Sequence, residues 1–91
     1  GIENIHRRAL ELKGYLIKRT DETTGISIAG PRKSESPITL IKVKNAQKII
    51  GKLIERNIIV SYRAGGIRVS PHFYNNREDI DRLILGLGSK E

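Results

Sequence analysis

Apolar residues at Ile2, Ile5, Ala9, Leu12 and Leu16 recur at steps of three and four, which lines them along one side of a helix over about residues 2–19. Arg7, Arg8, Glu11, Lys13 and Lys18 fall mostly between them and are expected on the solvated side. The polar stretch Thr20 to Gly25 precedes a short strand, Ile26 to Ala29, closed by Gly30-Pro31. After a loop from Arg32 to Ser36, Pro37 leads into a second strand, Ile38 to Val43, rich in β-branched residues. Helical spacing returns at Ala46, Ile49, Ile50, Leu53 and Ile54 and ends near Asn57. Ile58–Arg63 and Ile67–His72 read as the strands of a hairpin, with Ala64-Gly65-Gly66 as its tight turn. Asn75 or Asn76 is placed to cap a last helix, with Glu78 and Asp79 in the first turn, where carboxylates favour the free N–H groups. Ile80, Leu83, Ile84 and Leu87 form its apolar stripe, and Gly86 and Gly88 weaken its end. The order αββαββα predicts an α+β fold: a small antiparallel sheet of about four strands with three helices packed on one face.

Ninety-one residues suit a single domain over 1–91. No apolar run approaches the roughly 20 residues of a membrane span, and the start does not resemble a signal peptide, so the expected location is the cytoplasm. The absence of cysteine excludes disulfides, thiolate metal sites and a thiol nucleophile. Methionine is absent too, position 1 included, and Gly1 directly precedes a helix; the expectation is a segment of a longer chain.

A net charge of +7 raises the question of an acidic or nucleic-acid partner. Lys44, Lys48 and Lys52 are four apart, with Arg56 next in the series, so a helix would stack them into a stripe able to contact phosphates. The three tyrosines and one phenylalanine are not interleaved with it for base stacking, and a solvated helix face is the preferred reading. His6 and His72 stand far apart without carboxylate companions and make a poor metal site. Ser61 and Ser70 lack a histidine–carboxylate pairing, and Gly65-Gly66 lacks the spacing of a phosphate loop. No catalytic set closes within the chain. Arg68 differs, because it interrupts the apolar strand IRVS, where a guanidinium needs a path to solvent or an anion. Its planar fork suits a carboxylate, although pattern alone favours an exposed strand face.

The run IIVSYRAGGIRVSPHFYNNREDIDRLI, Ile58 to Ile84, resembles the carboxy-terminal end of class V aminotransferase-like enzymes, which use pyridoxal phosphate (PLP) on the fold-type-I scaffold. GIENI at the start resembles the opening of that family's small-domain helix, and ISIAGP the strand that follows it. The resemblance implies a C-terminal small domain of a PLP-dependent enzyme acting on an amino acid. It implies that Arg68 binds the substrate α-carboxylate, with Asn75 and Asp79 capping and orienting the last helix. Arg63 and His72 are placed towards the mouth of the site with no carried-over role. The Schiff-base lysine and the aspartate facing the pyridine nitrogen belong to the family's large domain. PLP is therefore expected in the full-length enzyme and not on this chain alone, which is expected to be inactive. The implied partners are the large PLP-binding domain of the same chain and, at full length, a second copy in a homodimer. Desulfurases of the family carry a cysteine loop before the arginine strand; only RAGG stands here, which points towards aminotransferase, epimerase or lyase-type members. The alternative is a stand-alone basic nucleic-acid-binding module on the Lys44-Lys48-Lys52 face, and a third reading is a non-catalytic interaction domain on the same fold.

Overall fold

The computed structural model describes residues 2–30, 38–58, 60–63, 65–70 and 76–88. Seven elements follow one another: α1 (Ile2–Asp21), β1 (Ile26–Ala29), β2 (Thr39–Val43), α2 (Ala46–Glu55), β3 (Ser61–Arg63), β4 (Gly66–Val69) and α3 (Arg77–Gly88). The strands form one antiparallel sheet in the order β1-β2-β4-β3. The α+β architecture read from the sequence is the one observed.

Alternation along the strands decides which face is covered, since successive side chains point to opposite sides. Ile41, Ile67 and Val69 are inaccessible and meet Leu12, Leu16, Leu53, Ile80, Leu83, Ile84 and Leu87 from the three helices. Lys42 and Arg68, one step along the same strands, are exposed. The helices therefore occupy one face and leave the other open.

Helix α1 departs from its expected face at two places. Ile5 is 71% exposed, and all of Glu3–Arg8 faces solvent, while Leu12 and Leu16 are buried. Twenty residues of helix extend about 30 Å, whereas strands of three to five residues extend roughly 10–17 Å. The first turns of α1 outrun the sheet, and their apolar stripe has no core to meet. Lys13, expected on the solvated side, is only 5% exposed, and its Nζ donates to the Ile38 carbonyl at 3.2 Å. Position 13 flanks the buried stripe, so the aliphatic stem lies against the core while the amine reaches a backbone acceptor.

The end of α2 corrects a strand boundary. Asn57 takes φ of 64°, Asn57 N–H donates to the Ile54 carbonyl at 2.9 Å, and Ile58 N–H donates to the Leu53 carbonyl at 2.8 Å. This is a Schellman closure, with the buried pair Ile58 and Leu53 as its hydrophobic contact. Ile58 is thus the plug of a helix end, and β3 begins at Ser61. In the hairpin, Arg63 pairs with Gly66, so Gly66 opens β4 instead of lying in the turn. β4 ends at Val69, short of the expected His72, and residues 71–75 lie outside the described residues.

Helices α1 and α3 are clasped by polar groups. Tyr15 Oη donates to Asp81 Oδ1 at 2.6 Å, Arg19 Nε donates to the same oxygen at 3.1 Å, and the Arg77 guanidinium lies 4.9 Å over the Tyr15 ring. The hydrogen bond from Tyr15 holds the Asp81 carboxyl below the usual carboxylate range; partial desolvation opposes this, and Arg19 reinforces it. The same bond to a carboxylate raises the Tyr15 phenol. At the start of α3, Asn76 Oδ1 accepts from the Asp79 N–H at 3.0 Å. Asn76 is therefore the cap.

Candidate functional site on the open sheet face

Register assembles the open face residue by residue. In an antiparallel sheet, directly paired residues point to the same side. One row runs Ala29–Leu40–Arg68–Ser61, and the next runs Ser27–Lys42–Gly66–Arg63. Arg68 sits on a central strand, between Leu40 on β2 and Ser61 on β3, and it is exposed. Its inward neighbours Ile67 and Val69 are fully buried, which anchors the strand that carries it. No described hydrogen bond or ion pair engages Arg68, so its five N–H donors are available to a ligand.

The close packing of β4 on β2 depends on Gly66. A Cβ there would stand 2.5 Å from the Ile41 carbonyl oxygen, which a side chain cannot do without moving backbone. The open face consequently has a floor without a side chain at Gly66, flanked in register by Lys42 and Arg63. Ser61, also exposed, adds a hydroxyl beside Arg68.

Other candidates are not brought together. His6 is exposed on α1, and His72 lies outside the described residues; no three metal-ligating side chains cluster among the described residues. Ser70 is half-buried at the end of β4. Lys48 and Lys52 lie on α2, but Lys44 precedes the helix and Arg56 is its C-cap, which breaks the four-residue stripe read from spacing. Among the described residues no helix is long and apolar enough to cross a membrane.

A model of the kynureninase C-terminal domain matches residues 5–87. The chain belongs to the kynureninase C-terminal domain family. That family is PLP-dependent and class V aminotransferase-like, which the ends of the sequence suggested. No curated protein sequence matches the chain. Among the described residues of this kynureninase-type domain, no lysine is placed to seat the cofactor itself. Every described lysine except Lys13 is exposed, and Lys13 is buried against the Ile38 carbonyl rather than at a cleft that could admit a cofactor ring. What the kynureninase-type fold presents instead is an open wall with a cation at its centre.

Proposed function

We propose that the chain is the C-terminal small domain of a longer PLP-dependent enzyme acting on an amino acid, in which Arg68 holds the substrate α-carboxylate. The carrying observation is an exposed guanidinium without a described partner, on a central strand of the one sheet face that the helices leave open. A carboxylate accepts two parallel N–H bonds from an arginine, which fixes its plane as well as its position. Fixing the amino acid this way orients its Cα bonds for reaction, a geometric contribution that needs no titrating group. The family's name points to kynurenine as the amino acid. The cofactor's lysine would come from the large domain, and the 91-residue chain alone would be inactive. A homodimer of the full-length enzyme follows from the family resemblance.

In the full-length enzyme, Arg68→Ala removes a charge-assisted bond of about 1.5–3 kcal/mol, so KM for the amino acid should rise about 10- to 150-fold. Arg68→Lys should recover only part of it, since an ammonium cannot form the planar fork. An unchanged KM in steady-state kinetics of Arg68→Ala would remove the residue from the site.

A further inference from the structure

The charge of the open face extends beyond Arg68. Every described acid lies on a helix or, for Glu22, in the turn after α1: Glu3, Glu11 and Asp21 on α1, Glu55 on α2, Glu78, Asp79 and Asp81 on α3. The two outward rows of the sheet hold Lys42, Arg63 and Arg68 and no carboxylate. All three cations are exposed, and no described hydrogen bond or ion pair engages any of them. Lys42 and Arg63 face each other across Gly66, the position where the sheet admits no Cβ. Paired strands set their Cα atoms about 10 Å apart across that gap, with Arg68 about 7 Å from Gly66 along β4. Side chains of this length can converge their heads over the glycine floor, and the Ser27 hydroxyl stands next to Lys42 in the same row.

We propose that Lys42 and Arg63 form a second oxyanion subsite over Gly66, beside Arg68, suited to a doubly charged group such as phosphate. Like charges held this close without a counter-ion repel one another, and a dianion relieves that repulsion while accepting from both heads. The outward rows carry no aromatic side chain, because Tyr62 pairs with the inward Ile67. Base stacking is therefore missing, and the surface suits a small anion better than a single-stranded nucleic acid. The inference rests on the charge pattern and register, and it holds whichever anion Arg68 itself takes.

Inorganic phosphate titrated into the isotope-labelled 91-residue chain, at ionic strength held constant with sodium chloride, tests it. Expected are saturating amide shifts at Lys42, Arg63 and Gly66, with Lys48 and Lys52 unmoved. In the double variant Lys42→Gln, Arg63→Gln the affinity should fall about tenfold or more, from the loss of charged hydrogen bonds. The pair Lys42→Arg, Arg63→Lys, which keeps both charges, should retain binding. Shifts that rise linearly without saturating, or that appear equally at Lys48 and Lys52, would show screening alone and overturn the subsite. An oligonucleotide moving the same amides at far lower concentration than phosphate would overturn the choice of a small anion. Localisation in the unsubstituted chain decides the matter even where a variant fails to fold. Because none of these readouts is an amino-acid KM, a failure here is separable from a failure of the carboxylate role of Arg68.

Discussion

At the scale of the residue, Gly66 and Arg68 illustrate different kinds of constraint. The glycine pair reads in the sequence as a hairpin turn, and Gly65, at φ of 83°, fills that role. Gly66 is required for another reason, the carbonyl oxygen of Ile41 on the neighbouring strand, which no local pattern reveals. Gly66→Ala is expected to destabilise the domain by about 1–3 kcal/mol, as forced overpacking does. The check is a lower urea midpoint at an unchanged slope. Arg68 was legible as an anomaly, a charge in an apolar strand. Its setting was not, because the cations beside it, Lys42 and Arg63, come from strands that only the register brings alongside. Lys13 shows the converse, since helical spacing assigned it to solvent and a carbonyl 25 positions away took it inside.

At the scale of the element, helix existence followed from periodicity, whereas the ends followed from capping. Ile58-Ile59-Val60 has the composition of a strand, yet Ile58 closes α2 because its side chain finds Leu53 and its N–H finds the Leu53 carbonyl. That closure needs Asn57 in the left-handed region, which costs most L residues about 1–2 kcal/mol, asparagine less and glycine essentially nothing. Asn57→Ala should therefore lower stability by about 1 kcal/mol, and Asn57→Gly should leave it unchanged or higher. Thermal melts of the two variants give the order, and an alanine variant as stable as the glycine one would contradict the capping argument. At α3, both asparagines were possible caps, and the 3.0 Å bond to the Asp79 N–H selects Asn76.

At the scale of the whole molecule, the α1–α3 clasp ties the first and last elements of the fold. Asp81 has a folded-state pKa below its ordinary 3.8, so around and below that pH the native state binds fewer protons than the unfolded chain. The stability this contributes is complete above about pH 5 and is lost as pH falls through 3.8 to the lowered value. Tyr15→Phe removes the largest cause of the shift. The Asp81 midpoint, followed by carboxyl NMR, should then move up towards 3.8, and acid unfolding should begin at higher pH. A midpoint that stays where it was would assign the shift to Arg19 instead. The clasp was not legible in the sequence, because Asp81 is more than 60 positions from both Tyr15 and Arg19 and none of the three belongs to an apolar stripe.

The sequence by itself determined the element order, the α+β class and the family, because periodicity and short motifs are local and survive without knowledge of packing. Tertiary structure decided which apolar residues have a core to meet: Leu16 does and Ile5 does not, since α1 is longer than the sheet it covers. It also decided that Lys42, Arg63 and Arg68 share one open face. Strand register is set by the buried alternation on the other side, and a shift of one residue would have turned all three cations into the core.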